Sequence, residues 1–289
     1  MTRRALTFAL VLLSAACGGT TQAPTAPAAA PATPALASLS VADLDAFISA
    51  TVAAQHAIGV SVGVMQNGQV IFAKGYGLAR VADKTPVATE TLFAVGSVTK
   101  QFTCAVALQL EQEQKLSFDD PVAKYAPGLT RAADIRVRDI SGMISGYRDY
   151  YPLDFVDRPM AAPRASLDIV RDFASRPLDF EPRARYSYSN TGYLLLGAIA
   201  ERAGREPFAR QLERRLFTPL GLRHTRYEPQ RGGPGMAEGY TPLGLGDVEP
   251  AVPEGEGWIG AAGGIWSTPT DLLTWDLALM VGTVLVLGT

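Results

Sequence analysis

Residues 93–100 have the sequence Phe93-Ala94-Val95-Gly96-Ser97-Val98-Thr99-Lys100, and an apolar, periodic segment follows them. This segment predicts a helix from Ser97 to about Gln114 that is apolar around much of its circumference, so it should be central and buried. Ser97 and Lys100 are three residues apart and share one helix face, so the lysine amine can reach the serine hydroxyl without a histidine. A serine hydroxyl is a weak nucleophile until it is activated in some such way. The plainer alternative is that Ser97 caps the helix and Lys100 is solvated.

A second polar group stands 91 residues after Ser97, in Tyr188-Ser189-Asn190. It directly precedes a periodic apolar segment that predicts a helix over residues 191–203. A phenol that is activated by a nearby cation can act as a general base. Asn190 could bind a substrate amide or hold Lys100 in place. Alternatively, this stretch is a polar loop in which Asn190 caps the following helix.

Local patterns predict several further elements. Residues 41–56 have apolar side chains at helical spacing, and two β-rich runs at 59–66 and 69–76 flank Asn67-Gly68, which is a strong hairpin signal. Small residues on the first of these strands indicate that a helix packs close to it. Thr268 and Pro269 predict the start of a last helix that ends near Met280.

Composition excludes several classes of function. The chain has 289 residues, 47% of them hydrophobic, and a formal net charge of −2, which suits a globular protein with a core and leaves no basic footprint for nucleic acid. The two histidines, His56 and His224, are scattered, so neither a metal cluster nor a Ser-His-Asp site is expected. We therefore predict no cofactor. Cys104 should serve a buried, structural role.

The N-terminal residues indicate export. Arg3 and Arg4 precede an apolar run too short to span a bilayer, and Leu13-Ser-Ala-Ala-Cys17 resembles a bacterial lipobox. We expect a lipoprotein signal peptide at 1–17 with lipidation of Cys17, an Ala/Pro/Thr-rich tether at 18–38, and the folded domain at 39–289. This predicts a protein anchored at the periplasmic face of the outer membrane. The alternative is an ordinary secretory signal and a soluble, secreted or periplasmic protein.

Five stretches together carry a family pattern: Phe93–Thr103, Lys115–Val122, Tyr186–Tyr193, Pro219–Leu222 and Ala262–Leu272. Over roughly residues 41–283 the chain resembles the serine β-lactamase-related hydrolases, in the branch of class C β-lactamases, D-alanyl-D-alanine carboxypeptidases and related esterases. The resemblance implies an α/β fold of the α+β type, in which an antiparallel sheet flanked by helices is joined to an all-helical lobe. The serine helix runs between the two, and the pocket lies at their junction.

The resemblance also implies roles for individual residues. Ser97 is the acylated nucleophile, Lys100 its activating partner, Tyr188 the base that relays protons to the leaving group, and Asn190 a substrate-binding residue. The Ser97 backbone N–H supplies half of an oxyanion hole. Three residues at the expected rim of the site join the substrate-binding candidates, against an equally weighted structural role: Tyr147, Asp149 and Tyr150. The substrate is expected to be a β-lactam, a D-alanyl peptide or a small ester, and the protein a monomer.

The chain departs from the family pattern in two places. The segment Asp139–Tyr147 lacks the histidine that often precedes the active-site rim. The family's third motif, His or Lys followed two residues later by Gly, is also missing: no lysine follows Tyr188, and His224 is followed by Thr225-Arg226. We therefore expect that the chain is truncated at its C-terminus relative to the family, without the last strands of the sheet. An alternative function follows, in which a catalytically impaired or inactive surface lipoprotein binds a ligand or partner through the same lobe.

Overall fold

The first elements of the described part of the chain are the helix and the hairpin that the sequence predicts. A computed structural model describes residues 40–151, 158–242 and 248–285. Helix α1 is Val41–Ala54, and strands β1 (Gly59–Gln66) and β2 (Gln69–Arg80) pair antiparallel. Asn67 and Gly68 form the connection with φ angles of 51° and 76°. Two successive left-handed residues give a turn whose twist matches that of the strands, which explains the Asn-Gly sequence.

Further strands are short and form three separate antiparallel arrangements. Their bounds are β3 Thr85–Pro86, β4 Phe93–Ala94, β5 Arg226–Tyr227, β6 Tyr240–Pro242, β7 Val248–Pro250 and β8 Ile265–Ser267. Strand β3 extends the hairpin in the order β1-β2-β3, a second sheet has the order β4-β8-β5, and β6 pairs with β7. Because β4 pairs with β8, the residues just before Ser97 are fixed beside residues 265–267.

Helices make up most of the remaining structure. After a single 3-10 turn at Gly96–Val98 come α2 Thr99–Gln112, α3 Val137–Ser141, α4 Ser166–Ala174, α5 Asn190–Gly204, α6 Phe208–Leu212, α7 Thr218–Leu220, α8 Gly260–Gly263 and α9 Pro269–Met280. A π-helical turn at Glu213–Phe217 joins α6 to α7. Among the described residues, no helix is both long and apolar enough to cross a bilayer.

Helix α2 is central, as its sequence predicts. Phe102, Val106 and Leu110 follow one another at intervals of one turn and are fully buried. The ring of Phe102 stacks on Trp275 of α9, with centroids 3.9 Å apart and an interplanar angle of 17°. Since large buried aromatic pairs contribute strongly to a core, this contact joins the serine helix to the last helix.

Two glycines allow the layers to approach closely. A Cβ atom at Gly197 of α5 would lie 2.4 Å from Cβ of Ala261 in α8, a distance that real atoms do not adopt. A Cβ at Gly63 of β1 would lie 2.9 Å from atoms of Pro269 and Leu273 in α9. The second contact confirms the prediction that a helix packs close to the small residues of the first strand.

Helix α1 lies on the hairpin but buries none of its own residues. Its Asp45 accepts hydrogen bonds from Lys74 Nζ and from Tyr76 Oη on β2, at 2.7–2.8 Å and 2.7 Å. Phe47 is 69% exposed. The amphipathic pattern predicts a helix here correctly. The apolar face of this helix is not buried, and its described contacts are mainly to β2.

Candidate active site

The serine and the lysine meet at the start of α2, and neither has the plainer role considered for it. Ser97 is exposed within the 3-10 turn that precedes the helix, while Lys100 is only 6% exposed. Val98 is the N-cap residue of α2, with no side-chain capping bond, so the Ser97 hydroxyl does not serve as a cap. Lys100 Nζ instead donates to Ser97 Oγ at 3.1 Å.

Tyr188 completes a contact chain of three side chains. Its phenolic oxygen is hydrogen-bonded to Ser97 Oγ, and its ring centroid lies 4.7 Å from Lys100 Nζ. Tyr188 is 42% exposed, so one side of the phenol is open to solvent and the other faces the ammonium group. An alcohol thus lies between an amine and a phenol, each within hydrogen-bond reach of its oxygen.

Asn190 faces the same lysine because its neighbour takes over the capping of α5. Ser189 is the N-cap residue, and its Oγ accepts the Gly192 N–H at 3.0 Å. The alternative in which Asn190 caps the helix is therefore wrong. Asn190 Oδ1 is left to accept a hydrogen bond from Lys100 Nζ at 2.9 Å.

The third acceptor of Lys100 is a backbone group that the sequence patterns do not single out. Lys100 Nζ donates to the carbonyl of Ala262 in α8 at 2.7 Å, and Thr103 Oγ1 donates to the neighbouring carbonyl of Ala261, also at 2.7 Å. These bonds hold α8 against α2. An ammonium group has three protons, and Ser97, Asn190 and Ala262 provide one acceptor for each. The stretch that begins at Ala262 is part of the family pattern, and this is the only feature of the sequence that pointed to a role for Ala262 at the site.

Burial sets the protonation of the site. It lowers the pKa of Lys100 to about 8, and the negative Asp149 carboxylate opposes that change. Burial raises the pKa of Tyr188, whereas its hydrogen bond to Ser97 opposes the rise. Near neutral pH the tyrosine is therefore a neutral phenol, while a fraction of the lysine is a free amine that can accept a proton.

The three residues expected at the rim occupy different places. Tyr147 and Tyr150 are 4% and 7% exposed, so the expected rim position is not found for either. Tyr150 donates to the carbonyl of Trp258 and packs among aromatic rings, which explains its burial. Asp149 is at the site, where its carboxylate accepts hydrogen bonds from Asn190. Substrate binding by these residues stays a prediction.

Other candidate features lie elsewhere. Residues 59–63 have the form G-x-S-x-G, but Ser61 lies within β1 opposite Gly75 and not on the strand-to-helix turn that a nucleophile elbow needs. Cys104 Sγ is 3.2 Å from Tyr193 Oη, and Cys17 lies outside the described residues. Within the described part of the chain, no group of histidine, cysteine and carboxylate residues could hold a metal ion.

A cavity of about 790 Å³ does not coincide with this site. It lies among α4, α5 and α6, where Leu194, Phe208 and Tyr227 contribute to its walls, and none of Ser97, Lys100 or Tyr188 lines it. The chemistry is therefore assigned from the contacts of the side chains and not from the size of a cavity.

Comparison with known proteins gives a family match over most of the chain. A family model described as Beta-lactamase matches residues 44–288. A penicillin-binding protein of Bacillus subtilis (strain 168) is 29% identical over 192 residues, which is 66% of this chain and 42% of that protein. A teichoic acid D-alanine hydrolase of Staphylococcus aureus (strain MRSA252) is 29% identical over 221 residues, covering 73% of this chain and 52% of that protein. The chain thus spans about half the length of the curated relatives it matches.

A solved structure has the same fold. The D-amino acid amidase of Ochrobactrum anthropi SV3, in complex with D-phenylalanine, superposes with a TM-score of 0.73 and 28% sequence identity. The superposition covers 84% of this chain and 72% of the amidase. The expected α/β fold, with antiparallel sheets and flanking helices, is confirmed by this likeness and by the elements described above.

Proposed function

This chain belongs to the Beta-lactamase family, and on that premise we propose that it is a serine hydrolase that forms an acyl-enzyme on Ser97. The observation that carries the proposal is the pair of contacts to one oxygen: Ser97 Oγ accepts from Lys100 Nζ and is hydrogen-bonded to Tyr188. A nucleophilic hydroxyl needs a base within hydrogen-bond distance, and this arrangement offers one without a histidine.

The first half-reaction transfers the acyl group to the serine. Ser97 Oγ attacks the substrate carbonyl carbon as its proton passes to the free amine of Lys100. The bond to the leaving group then breaks, and Tyr188 conveys the proton to the departing atom. The products are a serine ester and a protonated leaving group, and the Ser97 backbone N–H stabilises the oxyanion.

The second half-reaction hydrolyses the serine ester with water, and the same groups act in reverse. Lys100 and Tyr188 withdraw a proton from the attacking water and return one to Ser97 Oγ, which releases an acid. Asn190 keeps the lysine in place by accepting a hydrogen bond from Nζ through its Oδ1. Lys100 and Tyr188 thus contact the reacting oxygen of Ser97, and Asn190 contacts Lys100.

The names of two relatives share one substrate feature. One is named a teichoic acid D-alanine hydrolase and the other a D-amino acid amidase, and both names specify a D-amino acid. We therefore place D-aminoacyl esters and amides first among the substrates, with β-lactams, D-alanyl peptides and small esters as the wider class. A specific acyl group depends on the loops around the pocket.

The proposal is tested by mapping a covalent adduct. The full chain is incubated with a fluorescent penicillin or a fluorophosphonate, digested, and analysed by mass spectrometry. We expect one adduct, on the peptide that contains Ser97, and none in Ser97→Ala. Ser61→Ala is a matched control because that serine lies within β1, and it should be labelled normally.

Two results would separate the proposal from its alternative. Hydrolysis of a D-alanyl ester with multiple turnovers, lost in Ser97→Ala, supports the enzyme. Labelling of Ser97 without turnover would instead favour an impaired protein that binds a ligand through the same site. An adduct elsewhere, or none, would rule out Ser97 as the nucleophile.

Localisation is a separate proposal. We propose that the chain is exported and anchored at the periplasmic face of the outer membrane through a lipid on Cys17. The support comes from the apolar run and the lipobox-like residues 13–17. An acyl substrate in the cell wall would be accessible from that position.

A further inference from the structure

Two loops meet beside the lysine and are joined by backbone hydrogen bonds. The Ser187 N–H donates to Met143 O at 2.9 Å, the Arg183 N–H to Ile144 O at 2.7 Å, and the Asp179 N–H to Gly146 O at 2.9 Å. Gly146 has a φ of 83°, and a Cβ there would lie 2.2 Å from the Phe180 carbonyl oxygen. The loop that follows α3 is therefore held tightly against the loop that carries Tyr188.

The side chain of Asp149 adds a further contact between the two loops. Its Oδ1 accepts the backbone N–H of Asn190 at 3.2 Å, and its Oδ2 accepts from Asn190 Nδ2 at 3.1 Å. The same Oδ1 also accepts the Tyr151 N–H at 3.3 Å, which fixes the carboxylate within its own loop. One carboxylate thus holds both the backbone and the side chain of Asn190.

The bond to Nδ2 determines which end of the Asn190 amide faces Lys100. A primary amide has a donor end and an acceptor end of nearly the same shape, so its orientation depends on its partners. With the NH₂ group donating to Asp149, the Oδ1 atom is directed to Lys100 Nζ at 2.9 Å. A rotated amide would place a donor against a donor and remove one of the three acceptors of the lysine.

From these contacts we infer that Asp149 is a positioning residue, which acts through Asn190 to hold Lys100 Nζ against Ser97 Oγ. The inference rests on the proposed function, because it assigns a task within the same site. The hydrogen bonds of this carboxylate to Asn190 and Tyr151 support this task, and the role of Asp149 in substrate binding stays a separate prediction.

The charge of Asp149 acts on the same lysine. Around Lys100 Nζ lie the Ser97 hydroxyl, the Tyr188 and Tyr193 ring centroids at 4.7 Å and 5.4 Å and, in contact with Tyr193, the Cys104 thiol. Asp149 is the carboxylate that opposes the lowering of the Lys100 pKa by burial. Removing its charge should therefore lower that pKa further, because the ammonium form loses a favourable partner.

The titration of Lys100 can be observed directly by NMR. The chain contains five lysines, so ¹³C labelling at the lysine Cε gives a small set of signals, and Lys100→Arg identifies the relevant one. We expect a midpoint near pH 8 in the unmodified chain and a lower midpoint in Asp149→Asn. An unchanged or higher midpoint would overturn the inference, whether or not the protein is an enzyme.

Kinetics then test the positioning role. The rate of Ser97 labelling is measured at the high-pH plateau for Asp149→Ala and Asp149→Asn. We expect about a 10- to 100-fold loss in the alanine variant, because small displacements of a catalytic group cost that much. The asparagine variant should recover most of the loss, since its oxygen can still accept from Asn190 Nδ2.

Asp179→Asn is the matched control. It removes a carboxylate that pairs with Arg148 beside the same loop, at 3.0 Å, and should leave both the rate and the midpoint unchanged. Equal effects in the control would indicate a general disturbance of the loop and overturn the inference. If Asp149→Ala does not fold, Asp149→Asn carries the test through its midpoint. An unmodified chain that is never labelled on Ser97 refutes the proposed function, whereas normal labelling with unaltered Asp149 variants refutes only the inference.

Discussion

The rate of Ser97 acylation should rise about tenfold between pH 7 and pH 9. With a Lys100 pKa of about 8, roughly 9% of this side chain is a free amine at pH 7 and roughly 91% at pH 9. Since the free amine is the base, the rate follows that fraction and levels off above pH 9. The sign is informative: a lysine that acted only as a fixed cation would give a rate that falls over the same range.

The assay measures labelling by a fluorophosphonate at a series of pH values, with Ser97→Ala as the background. Lys100→Met removes the titrating group, so its rate should be slow and should not rise between pH 7 and pH 9. Thermal unfolding at each pH separates a change in rate from a loss of folded protein. A labelling rate that does not change with pH in the unmodified chain would refute the assignment of Lys100 as the base. The same rise of rate with pH in Lys100→Met would also refute it.

Three further outcomes are expected. Tyr188→Phe should lower kcat/KM about 10²- to 10⁴-fold, as removal of a proton-transfer group does. The Tm should change little because the side chain is 42% exposed. A large fall in Tm together with the loss of rate would point to a structural role. Gly197→Val should lower the free energy of unfolding by about 1–3 kcal/mol, measured in urea, because any Cβ there meets Ala261; a more stable variant would contradict the packing of α5 on α8. Cys17→Ala should abolish incorporation of labelled palmitate and release the protein from membranes, whereas continued labelling would exclude lipidation at that residue.

The local elements could be predicted from the sequence because their causes are local. The hairpin follows from Asn67-Gly68 between two β-rich runs, and the start of the last helix follows from Thr268, whose side chain accepts the Asp271 N–H. The two- and three-residue strands β4, β5 and β8 could not be found, because a period cannot be recognised over so few residues. Their pairing depends on distant parts of the chain.

For the site, the sequence by itself determined that Ser97 and Lys100 are neighbours, since a helical turn brings residues three apart onto one face, and the 3-10 turn that leads into α2 keeps this spacing. It also indicated Tyr188 and Asn190 as partners through the order of the family pattern. Only the tertiary structure decided which groups supply the other two hydrogen-bond acceptors of Lys100 Nζ. These are the Ala262 carbonyl, 162 residues away, and the Asn190 amide, which Asp149 holds. These contacts exist because α5 and α8 pack against α2, and such long-range packing leaves no periodic trace in any one segment.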